Sequence, residues 1–205
     1  SDETGGASPN AFKALRAAIH RPKVRRMLLA YAFAGFSFST LLVYQVPIMI
    51  DQGLVLSTAA AIAGFRGFCQ LFGRVGVIAA LAKQEAAFAL RVSYLLAAFG
   101  SLFILGGNVG LGVVYGALVG TSLGATTPLQ AIHAQETFEP EDLGLLMGLQ
   151  HSVFALAGGV GPVVAGFAAD LTDSQSPTVW MIMCSLLVAA LLLRGKPLLP
   201  SVEIR

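Results

Sequence analysis

Charge is missing from long runs of this chain, and that absence constrains its fold more than any motif does. Residues 27–50, 92–135 and 143–169 contain no Asp, Glu, Lys or Arg. A helix of roughly 20 apolar residues crosses about 30 Å of hydrocarbon, so 27–50 and 143–169 each read as one span. The run 92–135 is about twice that length and is broken by Gly106-Gly107-Asn108, a turn sequence, so it reads as a hairpin of two helices. Residues 58–82 and 177–193 supply two more, the first in spite of Arg66 and Arg74. An all-α membrane protein with six spans follows: about 27–50, 58–82, 87–105, 109–134, 143–169 and 177–193. A basic linker (1–26) precedes the bundle (27–193), and a short tail (194–205) follows it. Only 12% of residues are charged and 56% are hydrophobic, against about 25% charged in soluble proteins. Helices buried in a soluble protein keep a polar face, and most of these do not.

The cations set the expected topology. Lys13, Arg16, Arg21, Lys23, Arg25 and Arg26 precede the first span, Lys83 lies between the second and third, and Arg194, Lys196 and Arg205 follow the sixth. All of these fall on one side of a six-span chain. The turns on the other side carry Asp51, Asp170 and Asp173 and no Lys or Arg. Positive segments stay inside, which predicts a plasma (inner) membrane protein with both termini cytoplasmic. Segment 11–26 reads either as a basic interfacial helix or as a plain linker with a topogenic charge cluster. No cleavable signal is visible in the polar run 1–10, and the chain opens on Ser1, so we expect it to be part of something longer. Cys69 and Cys184 both fall within spans, which argues against a disulfide framework. A net charge of +2 without an aromatic platform argues against nucleic-acid binding.

Gly112, Gly116, Gly120 and Gly124 recur every fourth residue, so the fourth span should press one bare face against a neighbouring helix. Gly158, Gly159, Gly161, Pro162 and Gly166 should loosen or bend the fifth span.

Charges inside the spans point to function. Arg66, Gln70 and Arg74 are spaced four apart, within about 80° of one helix face and at roughly 6 Å intervals. Arginine at the bilayer centre costs at least about 2.5 kcal/mol and normally faces a bundle interior or a water-filled cavity. Its planar fork suits carboxylate or phosphate oxygens. No acidic residue lies deep in a span to neutralise it, so a small anionic substrate is the expected partner. Arg74 also reads as a snorkelling residue or a helix anchor, and Arg91 as an interface anchor. Candidate neutral partners are Tyr44 and Gln45 in the first span, Thr126, Thr127 and Gln130 in the fourth, and Gln150 in the fifth. Histidine is the side chain most suited to carrying a proton near neutral pH, which makes His151 the candidate for proton coupling; a merely hydrogen-bonded histidine is the plainer reading. His133, nearer its helix end, is a weaker candidate.

Gly120-Thr121-Ser122-Leu123-Gly124 matches G-x-S-x-G, but that motif works on a strand-to-helix turn and here it falls inside an apolar helix. With no P-loop, dinucleotide fingerprint or metal-ligand spacing in the spans, no enzymatic activity, cofactor or metal is expected.

The order of features resembles the carboxy-terminal six-helix half of a major facilitator superfamily transporter. The resemblance lies in Tyr44-Gln45-Val46-Pro47 ending the first span, Gly73-Arg74 in the second, the segments 134–138 and 143–149 around the loop before the fifth, and 161–170 closing the fifth. It covers nearly the whole chain beyond residue 10. It implies two inverted three-helix repeats, substrate held near the midplane, and an amino-terminal six-helix half as partner. Monocarboxylate-type and oxalate-type members carry an arginine that contacts substrate carboxylate, and Arg74 is the matching position. The loop Ala82-Lys83-Gln84-Glu85 departs from the family's usual acidic-then-basic pattern, which implies an altered inner charge relay. A non-transporting six-helix membrane protein, of assembly or receptor-like type, is the competing reading.

Overall fold

The computed structural model describes residues 19–77, 79 and 84–193. The first part of the basic linker, Lys83 and the tail 194–205 lie outside them, and with them most of the cations on which the predicted topology rests. The protein is all-α. Among the described residues six α-helices follow one another: α1 Pro22–Asp51, α2 Leu56–Phe72, α3 Ala86–Leu102, α4 Val109–Thr137, α5 Leu143–Thr172 and α6 Ser176–Leu192. A π-helical stretch, Gly73–Val77, continues α2, and a 3₁₀ turn, Phe103–Gly106, ends α3. Among the described residues four helical stretches are long and apolar enough to cross a membrane: α1, α3 with its 3₁₀ turn, α4 and α5. The α6 helix is apolar but only 17 residues long, and α2 has 17 residues before the π-turn.

Two of the boundaries have a clear local cause. Pro22 at the first position of α1 gives up an N–H that would have no partner there. The hairpin between α3 and α4 sits at the expected Gly106-Gly107-Asn108. Gly107 adopts a left-handed φ of 63°, and the Asn108 side chain accepts a hydrogen bond from the Leu111 N–H (2.9 Å), capping α4. Pro47, Pro128 and Pro162 lie inside α1, α4 and α5. The α5 helix runs unbroken through its glycines and Pro162.

Packing is selective. The α1 helix lies along α5 and α6, α4 lies along α2 and α3, and α3 meets α6. The glycine stripe of α4 faces α2 as its spacing predicts: Gly112 abuts Ile62, Gly116 abuts Phe65 and the Arg66 backbone, Gly120 the Arg66 carbonyl, and Gly124 the Gln70 carbonyl. A similar approach joins α1 to α5, where Gly35 abuts the Phe154 carbonyl and Gly161 abuts that of Phe36. At the far end of the first pair, Gly73 abuts the Thr121 carbonyl. The core is built from α1, α3, α4 and α6, with Tyr31, Phe38, Ile48, Leu90, Tyr94, Tyr115, Ile182 and Leu186 all buried. Large apolar side chains such as Leu156, Val75, Phe167 and Leu171 point outward, a surface suited to lipid rather than water.

Two faces remain open. Gly144, Gly148 and Gly159 on α5, and Gly64, Gly67 and Gly76 on α2, have nothing within 4 Å of where a Cβ would stand.

Candidate functional site: a buried arginine among three helices

The expected Arg66, Gln70, Arg74 stripe does not stay on one face. Arg66 is 7% exposed, Gln70 is half-buried, and Arg74 is exposed. Eight residues of α-helix already drift by about 80°, and the regular α-helical register ends at Gly73, where a π-helical stretch begins. Gly73 is where α2 comes against α4, so the π-turn falls at a packing contact.

Arg66 is held where α1, α2 and α4 meet. Its Nε donates to Gln45 Oε1 (2.9 Å), and the Tyr115 hydroxyl donates to the same oxygen (3.2 Å). Arg66 Nη1 is buried without a hydrogen-bond partner, and among the described residues no carboxylate pairs with the guanidinium. The nearest acid along α1 is Asp51, six residues beyond Gln45, and its carboxylate is engaged with Gln52 Nε2 and the Gln175 N–H. The site is thus a buried cation with an acceptor on one edge and an unfilled donor on another. Tyr44, adjacent to Gln45, is half-buried, and its hydroxyl lies against Gly166 of α5.

The other candidates gather elsewhere, toward the opposite ends of their helices. Gln130 Nε2 donates to the Tyr94 hydroxyl (3.1 Å), and Gln150 Nε2 reaches the Gln130 carbonyl (3.5 Å), leaving Gln150 Oε1 buried and unpartnered. Gln150 and His151 lie in the first third of α5, not at its middle. His151 is exposed, with Nδ1 2.9 Å from the Met147 carbonyl. Thr126 bonds back to the Ser122 carbonyl and Thr127 is exposed. Arg91 is half-buried near the start of α3. The structure therefore brings Arg66 and Gln45 together, puts Gln130 and Gln150 in a second cluster, and leaves Arg74 and His151 outside both.

Sequence reasoning passed over Tyr94, Tyr115 and Tyr31, whose hydroxyl lies 2.6 Å from His133 Nδ1. The signal was available: the chain has only four tyrosines, all within its charge-free runs, and a tyrosine so placed needs a partner for its hydroxyl. Cys69 and Cys184 are both free thiols. No protein-family model matches the chain, and no curated protein matches it in sequence.

Proposed function

We propose that these six helices are the carboxy-terminal half of a secondary transporter of the major facilitator type, moving a small organic anion such as a carboxylate across the plasma membrane without covalent chemistry. The observation that carries this reading is Arg66: a guanidinium enclosed among apolar helices, with one acceptor, no counter-charge among the described residues and a buried donor without a partner. Such a group is expensive in a membrane, and an arriving carboxylate or similar oxyanion would supply both the missing charge and the missing acceptor. Gln45 and Tyr115 orient the arginine, and Tyr44 borders the same region.

The six-span, two-repeat arrangement is supported by the packing. The contacts of α1 with α5 and α6 mirror those of α4 with α2 and α3. Gly35 against Phe154 answers Gly120 against Arg66, and Phe36 against Gly161 answers Thr121 against Gly73. The open glycine faces of α2 and α5 suit close approach by further membrane helices, as an amino-terminal half would provide. Arg74, Gln70, Gln130 and Gln150 are proposed as secondary substrate contacts, and His151, exposed on α5, as the proton-coupling group of a symporter. The orientation proposed for the bundle, from the distribution of Lys and Arg in the sequence, has both termini in the cytoplasm.

Uptake of radiolabelled mono- and dicarboxylates into proteoliposomes tests the reading. Arg66→Lys keeps the charge but loses the two-pronged contact. It should weaken half-saturation about tenfold to a hundredfold, the equivalent of roughly 1.5 to 3 kcal/mol for one charged hydrogen bond. Uptake of every anion unchanged by Arg66→Lys and Arg74→Lys would refute it.

A further inference from the structure

The carboxylates of Asp51 and Glu136 do the same job at opposite ends of the bundle. Asp51, the last residue of α1, accepts a hydrogen bond from the Gln175 backbone N–H (3.2 Å) immediately before α6. Glu136, in the last turn of α4, accepts from the N–H of Ala86, the first residue of α3, with both oxygens in reach (3.2 and 3.4 Å). In each case a long helix ends by placing its acid on the start of a 17-residue helix, where unpaired N–H groups and the helix dipole favour a negative charge.

The match extends along the chain. Positions 51 and 136 are 85 residues apart, and the same spacing relates Gly35 to Gly120, Ser37 to Ser122, and Gln45 to Gln130. The serines also sit alike: the Ser37 hydroxyl, 2.9 Å from the Phe33 carbonyl in its own helix, lies 3.3 Å from the Ile182 carbonyl of α6, and Ser122 donates to the Ser93 carbonyl of α3. Pro47 and Pro128 precede the two acids within their helices. A proline removes a backbone hydrogen bond and its ring crowds the preceding turn, so each helix end beyond its proline is less firmly tied to its own helix. The acid ties it to a neighbour instead. The two ends lie on opposite faces: Gln52 lies against Gly107 of the α3–α4 hairpin, whereas Glu136 meets the beginning of α3.

We propose that Asp51 and Glu136 are equivalent latches, one at each membrane face, each holding the proline-hinged end of a long helix, and that release of a latch opens the bundle at its own face only. The proposal rests on the two-repeat reading above and gives the alternating exposure of a transporter a residue-level device at both ends.

Its test is sided access to buried positions. In a chain with Cys69 and Cys184 replaced by alanine, Met49→Cys places a thiol in α1 near the Asp51 latch and Ala134→Cys places one in α4 near Glu136; both parent residues are buried. Modification by a membrane-impermeant maleimide is timed in vesicles of either orientation. Asp51→Ala should speed modification at position 49 about tenfold and leave position 134 unchanged, and Glu136→Ala should do the reverse. Tenfold corresponds to the weaker end of the range for one hydrogen bond to a charged group. Unchanged rates, or equal rises at both positions, would overturn the proposal. If an alanine variant does not insert, Asp51→Asn and Glu136→Gln, which keep an acceptor but lose the charge, should still give a one-sided rise of about threefold, and no rise would overturn it equally. One-sided opening in a protein that carries no anion would leave the latches standing and remove the transport reading.

Discussion

Adding one methyl group at Gly120 separates close packing from mere helical composition. A Cβ there would overlap the Arg66 carbonyl and stand 2.8 Å from the Cys69 Cβ. The first obstacle is backbone, so no rotamer change relieves it and α2 and α4 must move apart. Overpacking of this kind costs about 1 to 3 kcal/mol. Against it stands the gain of about 0.8 to 1 kcal/mol for alanine over glycine in a helix, leaving Gly120→Ala destabilised by up to about 2 kcal/mol. Gly35→Ala should behave alike, since its Cβ would overlap the Phe154 carbonyl. Gly148→Ala and Gly159→Ala meet nothing within 4 Å, so only the helix term remains and both should be stabilised by up to about 1 kcal/mol. Thermal unfolding of the four variants in one detergent reads the difference as two downward and two upward shifts in Tm. If Gly120→Ala and Gly148→Ala shift in the same direction, the helices do not meet on the α4 stripe and the packing account fails.

Tyr31→Phe removes the partner of a buried histidine nitrogen and should cost about 1 to 3 kcal/mol, read as a lower Tm; an unchanged Tm would mean that water already serves His133. Cysteine labelling at Asp51 or Ser174 from outside intact cells should succeed and labelling at Lys83 should not; the opposite pattern would invert the topology.

Helix number, the hairpin at Gly106-Gly107-Asn108 and the α4 glycine face were legible because each depends on local chemistry: apolar length, a turn sequence and a fourfold repeat of the smallest residue. The arrangement of polar residues was not. Spacing placed Arg66 and Arg74 on one stripe by assuming unbroken α-helix, but a π-turn begins at Gly73, where Thr121 of another helix comes close, a contact that no local pattern records. Gln45 and Gln130 both looked like cavity residues, yet helix direction sends them to opposite ends of the bundle. The partners Tyr115 and Tyr94 come from 70 and 36 residues away, distances that only the tertiary fold closes. The 85-residue correspondence between α1 and α4 was present in the sequence but rests on a few scattered identities, and it becomes meaningful only when the paired contacts are compared.

That correspondence bears on whether Arg66 serves the fold or a ligand. Gly120 rests on the carbonyl of Arg66, and its counterpart Gly35 rests on the carbonyl of Phe154. The same backbone contact is therefore built once with an arginine and once with a phenylalanine, so close packing at this position does not require a charge. Arg66→Phe copies the other member of the pair. Gln45 Oε1 would keep its bond from Tyr115, and a charge that costs at least about 2.5 kcal/mol in the membrane would be gone, so the variant should fold with a Tm equal to or above the parent's. Anion-dependent stabilisation should vanish: carboxylate at 100 times its Kd raises the parent's stability by about 2.7 kcal/mol and should raise the variant's not at all. A variant that fails to fold would make Arg66 a structural tie among α1, α2 and α4. One that folds and is still stabilised by anions would move the binding site away from Arg66.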